Sequence, residues 1–468
     1  MSLENNIKSI FFKQIDNTIS LTYKDRINYL IQIEEWIHIH KSKIINAHFQ
    51  DLRKPESEVE IAEIWYVLSE IKKAKKNLKE WIRPKKQGVS TLALATASSW
   101  VMYEPKGIVL IIAPWNFPFN LTVGPMISAL AAGNRMIIKP SELTPNVGIL
   151  IEQMVSDIFP KNYISVVQGD HKIAEELLQY PFHHIFFTGS PKIGKLVMKA
   201  AADHLSSLTL ELGGKSPTII DETAKIKMAV NKLVWGKCLN LGQSCIAPDY
   251  LLIHRNIKDK FIKQFSKRVD DVFGRTYEKK SQSLDLARIV NERHWNRLEQ
   301  LLLSSIKKGA RIIHGGERNK TDLFIEPTIL DSISLDMEIM NEEIFGPLLP
   351  VIEYETLHDC KNIIKKGTKP LALYIFSENK ENIQYIVENT SSGGMMINEV
   401  KSHFLNLNLP FGGINTSGMG RSHGYEGFLA FSNQRSMQNN GIFSMIGLTF
   451  PPYTDWRKKV IRYITRYL

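Results

Sequence analysis

The chain has 468 residues, of which 43% are apolar and 23% charged, a composition that excludes disorder and predicts a globular protein of two or three domains. Three cysteines are too few for a disulfide framework. The net charge of +11 favours anions in general, but basic and acidic residues are interspersed and neither zinc-ligand spacing nor an aromatic-basic RNA signature occurs, so we expect no nucleic-acid partner.

The first eighty residues have the periodicity of amphipathic helices, with apolar residues recurring between charged ones. Residues 1–17 lack the apolar region of a secretory signal, and the apolar run 108–114 is far shorter than the ~18 residues that a membrane span needs. We therefore expect a cytoplasmic protein. From Ser90 to Val101, small residues and β-formers predict an extended hairpin.

Apolar runs then alternate with helical segments. Strands are predicted at residues 108–113, 136–139, 164–168 and 184–188, and this alternation predicts a parallel sheet covered on both faces. A second alternating series starts near Leu208, with strands predicted at residues 217–220, 250–254, 311–314 and 371–376. We expect a functional site at the strand ends and loops between two such domains.

Cys245 ends the segment Asn240-Leu241-Gly242-Gln243-Ser244-Cys245, which follows an apolar helical stretch. A thiol held by a Gly-containing turn at the end of a helix is accessible to a substrate and has its thiolate form favoured, so the segment is consistent with a nucleophile. A buried structural thiol is the alternative. The spacing alone does not separate the two.

Six further segments accompany the cysteine in order along the chain. They are Pro114-Trp115-Asn116-Phe117-Pro118, Lys139-Pro140-Ser141-Glu142, Phe187-Thr188-Gly189-Ser190, Glu211-Leu212-Gly213-Gly214-Lys215-Ser216-Pro217, Glu343-Ile344-Phe345-Gly346-Pro347 and Pro410-Phe411-Gly412-Gly413. With the cysteine segment they resemble the aldehyde dehydrogenase superfamily from about Gly107 to Arg421. The short N-terminal region, residues 245–250 and the ending Pro451-Pro452-Tyr453 are similar to the class 3 branch, which acts on fatty and aromatic aldehydes.

The resemblance implies an α/β fold with a Rossmann-like cofactor domain, an α/β catalytic domain and a small β oligomerisation arm. Residues 1–84 and 104–208 would form the NAD(P)-binding domain, and residues 209–395 the catalytic domain. Residues 85–103 and 396–430 would form the arm of a homodimer, and residues 431–468 a C-terminal tail.

The resemblance also implies the catalytic roles. Cys245 would attack the aldehyde carbon, and its backbone N–H and the Asn116 amide would hold the oxyanion, each worth ~3 kcal/mol. Glu211 would activate the water that hydrolyses the thioester. Without the resemblance, Asn116 is a turn residue and Glu211 a salt-bridge partner of Lys215.

The GxGxxG fingerprint of dinucleotide-binding proteins is absent from the sequence. Ser190 and Pro191 instead occupy the cap and first position of a predicted helix, whose N-terminus can bind pyrophosphate, although an ordinary capped turn has the same pattern. The resemblance assigns NAD, with NADP also accepted, to Trp115, Lys139, Glu142, Thr188, Gly189, Ser190, Gly194, Leu212, Gly213, Glu343 and Phe345.

Within this set, Lys139 and Glu142 are similar to the pair that binds the adenosine ribose, where a carboxylate disfavours a 2′-phosphate. Glu343 and Phe345 are similar to the residues that hold the nicotinamide ribose and orient its ring. Without the resemblance, the first pair is an exposed ion pair in a surface turn and Glu343 lies at a solvated helix end.

The substrate pocket is assigned to Tyr66, Phe117, Trp235 and Ser244, although the three large residues are equally compatible with the core. An apolar channel favours medium or long aliphatic or aromatic aldehydes over charged semialdehydes, because no Arg lies near Cys245 in the sequence. The alternatives are a semialdehyde or other polar-aldehyde dehydrogenase of the same superfamily, an enzyme that transfers the acyl group to coenzyme A, and a non-enzymatic homologue.

Two further features have a structural and a functional interpretation. The neighbouring His183 and His184 diverge on a strand and no third ligand is spaced to join them, so we expect no metal. Residues 456–468 combine apolar and basic residues that can segregate on a helix. This tail either docks on the protein or a partner subunit or lies on an anionic membrane.

Overall fold

The structure is a computed structural model, and it describes residues 3–15, 20–88, 90, 94, 96–440 and 445–467. Its helices are α1 (Leu3–Ile15), α2 (Tyr23–Leu52), α3 (Glu56–Val59), α4 (Tyr66–Trp81), α5 (Asn120–Ala132), α6 (Pro145–Ile158), α7 (His171–Leu177), α8 (Pro191–His204), α9 (Ile226–Cys238), α10 (Lys258–Phe273), α11 (Tyr277–Gln282), α12 (Glu292–Lys307), α13 (Glu338–Asn341), α14 (Leu357–Lys366), α15 (Lys380–Asn389), α16 (Gly424–Ala430) and α17 (Asp455–Tyr467). A π-helical turn, Glu60–Trp65, joins α3 to α4.

The strands are β1 (Lys85–Gln87), β2 (Ser98–Pro105), β3 (Ile108–Ile112), β4 (Arg135–Lys139), β5 (Ile164–Val166), β6 (His184–Gly189), β7 (Ser207–Leu212), β8 (Pro217–Ile220), β9 (Tyr250–His254), β10 (Arg311–His314), β11 (Arg318–Asn319), β12 (Phe324–Ile325), β13 (Thr328–Asp331), β14 (Leu348–Tyr354), β15 (Ala372–Phe376), β16 (Gly394–Ile397), β17 (Gly418–Met419) and β18 (Ser432–Asn439). The α/β fold class predicted from the sequence is confirmed.

The first large sheet has the strand order β17-β7-β6-β3-β4-β5. All neighbours are parallel except β17, which runs antiparallel to β7. All five residues of β3 are buried, because Val109 and Ile111 face one core while Ile108, Leu110 and Ile112 face the other. Burial on both faces explains the continuous apolar run in the sequence.

The second large sheet has the order β10-β13-β14-β9-β8-β15-β16. It is parallel apart from its edge strand β10, which pairs antiparallel with β13. Its central strands are buried, and α9, α10 and α12 contribute to the same core. The strands predicted at 217–220, 250–254, 311–314 and 371–376 all lie in this sheet.

A three-stranded antiparallel sheet has the order β1-β2-β18. Part of the hairpin predicted from Ser90 to Val101 lies outside the described residues, and β18 pairs with β2 from Ser432 opposite Pro105 to Asn439 opposite Ser98. The third strand therefore comes from the segment predicted as a tail. Residues 396–430 do not supply it, because β17 extends the first large sheet and α16 packs on α4 and α5. The mostly polar sequence of β18 has no alternation that indicates a strand.

The chain order brings the functional segments together. In a parallel sheet all carboxyl ends lie at one edge, so the loops after β3, β4, β6 and β7 meet there. The loop after α9 faces the same edge from the second unit, because residues of both line one cavity. Among the described residues, no helix combines the length and apolar character needed to cross a membrane.

Candidate active site

Cys245 lies in a sharply turned loop that begins where α9 ends. Asn240 and Leu241 have left-handed φ angles of 52° and 50°, and Gly242 has a φ of 76°. A Cβ atom on Gly242 would lie 2.2 Å from the carbonyl oxygen of Gly346, so only glycine fits this close backbone approach. The loop presents the half-buried Cys245 to a cavity.

The three thiols differ in their surroundings. Cys238 and Cys360 are buried in apolar cores, whereas Cys245 lines the cavity. Burial, together with the nearby carboxylates of Glu343 and Glu211, raises the pKa of the Cys245 thiol to about 12. The thiol is therefore protonated at neutral pH, and the expectation from the sequence that this loop favours the thiolate form is wrong, because burial and two carboxylates disfavour a negative charge here.

Asn116 lies directly beside the cysteine loop. It follows β3 and is 3% exposed. Its Nδ2 donates to the carbonyl oxygen of Gln243 at 3.2 Å, and its own carbonyl oxygen accepts from Nζ of Lys54 and Nδ2 of Asn240, both at 2.8 Å. These bonds tie the loop after β3 to the cysteine loop and hold the amide donor in place.

Glu211 is a buried carboxylate on β7, one residue before the strand ends. Its Oε1 accepts from the Ser422 hydroxyl at 2.8 Å, and its Oε2 is buried with no partner. Burial raises the pKa of Glu211 to about 8. The alternative salt bridge with Lys215 does not form, because the Lys215 ammonium pairs with Asp249. Glu211 lines the same cavity as Cys245.

A second perturbed carboxylate, Glu343, lies across the loop after β7. A Cβ atom on Gly213 would lie 2.0 Å from its Oε2, so glycine is required for this contact. Burial and the neighbouring Asp249 raise the pKa of Glu343 to about 8, and its Oε1 is buried without a partner. Phe345 has a left-handed φ of 49° and meets Trp115 edge to face, with the ring centroids 5.3 Å apart.

The remaining predicted cofactor residues lie at the carboxyl edge of the first sheet. Lys139, 3% exposed, ends β4 and pairs with Glu142 at 2.8 Å, so the ion pair is half-buried rather than an exposed surface contact. Ser190 caps α8, accepting from the Ile193 N–H at 3.4 Å.

Gly194 is placed on the first turn of α8, where a Cβ atom would lie 2.8 Å from the Leu212 side chain. The helix therefore begins close against β7, with its N-terminal N–H groups at the edge where an anion binds. The N-terminus of α8 and the unpartnered Oε1 of Glu343 fit a dinucleotide.

The cavity at Cys245 has a volume of about 1050 Å³, including space open to solvent. The four predicted pocket residues, Tyr66, Phe117, Trp235 and Ser244, all line it. Trp235 is 44% exposed, which places it at the mouth rather than in the core.

Several polar lining residues were not predicted from the sequence. They are Glu70, Lys401, Ser422 and His423. Glu70 accepts from the Tyr66 hydroxyl at 2.8 Å, and His423 stacks on Phe411 with ring centroids 4.7 Å apart. No local pattern marks these residues, because they reach the cavity from helices and loops that are far apart in the chain.

The histidine pair at the start of β6 has structural partners. His183 accepts from the Ile108 N–H through Nδ1 at 3.0 Å, and Nδ1 of His184 lies 2.9 Å from the Ser207 hydroxyl. Within the described residues, no group of three or more His, Cys, Asp or Glu side chains is arranged to hold a metal ion.

A thiol and an unpaired carboxylate line one cavity, and the N-terminus of α8 lies at the carboxyl edge of the first sheet, a combination typical of a thiol-dependent dehydrogenase. A model of the aldehyde dehydrogenase family matches residues 13–437, and the chain belongs to this family. It is an oxidoreductase that oxidises an aldehyde with NAD(P).

The relatives agree with the class 3 resemblance. The 4,4'-diaponeurosporen-aldehyde dehydrogenase of Staphylococcus aureus is 42% identical over 95% of each chain. Aldehyde dehydrogenase family 3 member A2 of Mus musculus is 38% identical over 92% of this chain and 87% of its own. The substrate-bound state of Staphylococcus aureus AldH covers 99% of this chain and 100% of its own, at 39% identity and a TM-score of 0.93.

Proposed function

We propose that Cys245, Asn116 and Glu211 divide the oxidation of an aldehyde to a carboxylate into two halves. The observation that carries the proposal is that the Cys245 thiol and the unpartnered Oε2 of Glu211 line one cavity. The two groups have different roles, because the Cys245 thiol attacks a carbonyl carbon and the Glu211 carboxylate accepts a proton from water.

In the first half, the Cys245 thiol gives up its proton to water in the cavity, which includes space open to solvent, and the thiolate attacks the aldehyde carbon to form a thiohemiacetal. The Asn116 amide and the Cys245 backbone N–H donate to the oxyanion. The Asn116 donor is preorganised, because hydrogen bonds already fix its loop. When bound, NAD(P)+ would supply the hydride acceptor. Loss of a hydride from the thiohemiacetal carbon then leaves a thioester on Cys245.

In the second half, Glu211 removes a proton from water as the water attacks the thioester. A carboxylate with a pKa raised to about 8 is a stronger base than an ordinary one at the same pH. The hydrogen bond from Ser422 to Oε1 leaves Oε2 free to accept that proton. The carboxylate product then leaves Cys245.

The roles of the cofactor residues are also proposals. We propose that Ser190, Gly194 and the start of α8 hold the pyrophosphate, and that Lys139 and Glu142 bind the adenosine ribose. Glu343 and Phe345 would hold the nicotinamide half, beside Trp115, with Thr188, Gly189, Leu212 and Gly213 shaping the edge between them.

The cavity lining favours medium or long aliphatic or aromatic aldehydes. Tyr66, Phe117 and Trp235 supply aromatic surface along it, and Ser244 lies beside the nucleophile. We expect activity to rise with chain length among alkanals, because each buried methylene contributes ~0.8 kcal/mol.

The larger organisation is also a proposal. Residues 1–84 and 104–212 would form the cofactor domain and residues 213–395 the catalytic domain, since β7 belongs to the first large sheet. The three-stranded sheet would be the arm of a homodimer. A cytoplasmic location is supported by three free cysteines.

The test of the division of labour uses Glu211→Gln and Cys245→Ala. The glutamine variant retains the thiol, so we expect a burst of about one NADH per active site, then turnover slowed at least ~10²-fold, with the acyl group on Cys245 by mass spectrometry. Cys245→Ala should show neither burst nor turnover while still binding NAD+. Cys360→Ala is the matched control. Parental turnover in Glu211→Gln, or an adduct on Cys238 or Cys360, would overturn the assignment.

A further inference from the structure

Lys401 is the one lysine or arginine among the described residues that line the catalytic cavity. It is 5% exposed and has a left-handed φ of 61°, a strained backbone for a residue with a side chain. The neighbouring Val400 packs against α9, where a Cβ atom on Gly236 would lie 2.6 Å from its Cγ2. This packing fixes the position of Lys401.

The ammonium of Lys401 is only partly satisfied. It donates to the carbonyl oxygen of Gly236 at 3.3 Å, in the last turn of α9, where the helix dipole favours a cation. An ammonium has three N–H donors, and in the described part of the chain Nζ of Lys401 donates no other hydrogen bond. At least one donor is therefore available, and Lys401 is one of the residues that line the cavity.

Among the described residues, three of the other four buried lysines have a carboxylate partner, and the fourth, Lys237, donates to the Pro248 carbonyl oxygen at 3.0 Å and does not line the cavity. Lys54 pairs with Glu63 at 2.6 Å and Lys280 with Asp270 at 2.7 Å. Lys401 has no carboxylate within 4.0 Å among the described residues. A buried cation without a counter-ion is costly, and such groups concentrate at functional sites.

We propose that Lys401 binds a carboxylate carried by the substrate, so that the enzyme selects aldehydes with an apolar chain and a second, anionic end. The apolar lining packs on the methylene groups, and the free N–H donors of Lys401 bind the substrate carboxylate. This inference rests on the proposed function and names its substrate class as ω-oxocarboxylates. It reverses the expectation that charged semialdehydes are disfavoured, which considered only the neighbours of Cys245 in sequence.

The test compares kcat/KM for alkanals, ω-oxocarboxylates and their methyl esters of equal chain length, from four to ten carbons, with NAD+ and the full chain. In the parent, at least one oxocarboxylate should exceed both its alkanal and its ester. Lys401→Met should lower kcat/KM for that substrate about 10- to 100-fold, the worth of a charge-assisted hydrogen bond, and change the alkanal less than about threefold. Lys401→Arg should restore most of the loss.

Lys227→Met, on the exposed first turn of α9, is the matched control and should leave both substrates unchanged. Should Lys401→Met fail to fold, the parent provides a second measurement. Burial lowers the pKa of Lys401 to about 8, and its titratable neighbours are Glu58, Cys245, Lys237 and Lys54. The KM for the oxocarboxylate, but not for the alkanal, should therefore rise above pH 8.

Three results would overturn the inference. One is a Lys401→Met variant that loses kcat/KM equally for alkanal and oxocarboxylate, because Lys401 would then act on the Cys245 thiol and not on the substrate carboxylate. Another is a preference of the parent for alkanals over oxocarboxylates at every length, and the third is an ester as good as the acid. A parent enzyme that oxidises no aldehyde would instead refute the proposed function.

Discussion

Glu63 and Glu211 are both buried glutamates near the cavity, yet their surroundings differ. Glu63 accepts from Lys54 at 2.6 Å and from the Asn120 N–H at 2.8 Å, with Nε2 of His48 at 3.2 Å. Glu211 has a single donor, Ser422.

Their protonation differs accordingly. Burial raises the pKa of both carboxyls, but at Glu63 the charges of Lys54 and His48 outweigh it and lower the pKa to about 2. At Glu211 burial prevails and the pKa rises to about 8. The presence of cationic partners, rather than burial, thus separates a structural carboxylate from one able to exchange a proton.

The largest effect is expected for Glu63→Gln. Lys54 would remain buried beside Asn116 without its counter-ion, so the free energy of unfolding should fall by about 3–5 kcal/mol. Urea unfolding of the apoenzyme measures the change. Glu211→Gln serves as the control, because an unpaired carboxylate contributes little, and its stability should be equal to the parent's or higher. Equal losses in both variants would remove the distinction between the two glutamates.

The pH dependence of thioester hydrolysis should report Glu211. A base works in its ionised form, so a pKa of about 8 predicts a rate that rises about tenfold per pH unit below pH 8 and levels off above it. Single-turnover decay of the acyl enzyme isolates this step. In Glu211→Gln the slow residual decay should lack the inflection at pH 8, and an unaltered inflection there would assign the titration to another group.

A smaller effect is expected for Glu142, whose carboxylate has a partner but is half-exposed. Its charge should repel a 2′-phosphate, so we expect kcat/KM for NAD+ to exceed that for NADP+ by about tenfold. Glu142→Gln should lower the ratio of kcat/KM for NAD+ to kcat/KM for NADP+. Equal kcat/KM values for the two cofactors in the parent would contradict the prediction.

The smallest effect is expected for the tail, which has no group in the cavity. Helix α17 is exposed, with Trp456 61% and Tyr463 63% accessible, and packs on residues 445–449. Deletion of residues 456–468 should leave turnover of a short aldehyde nearly unchanged. Vesicle sedimentation and analytical ultracentrifugation of the two forms then distinguish membrane contact from subunit contact. Lost turnover in a folded deletion variant would give the tail a role at the site.

Residues close together in the sequence already predicted much of the site. The buried strand β3 is a continuous apolar run. The chemical groups lie at or soon after the ends of strands and helices, as Lys139 ends β4 and Cys245 follows α9 after one turn. The parallel alternation of strands and helices then requires these ends to meet at one edge. Local patterns therefore indicate most residues of the candidate site.

Tertiary structure decided which groups have partners. Residue type alone does not show whether Glu63 or Glu211 has a cationic partner, and only packing gives one of them Lys54 and leaves the other with an unpaired oxygen. Lys401 lies 156 residues beyond Cys245 in the chain, and both residues line the same cavity. The strand β18 has no apolar alternation and is defined by its pairing with β2. Burial and hydrogen bonding depend on distant contacts, and local sequence patterns carry no record of them.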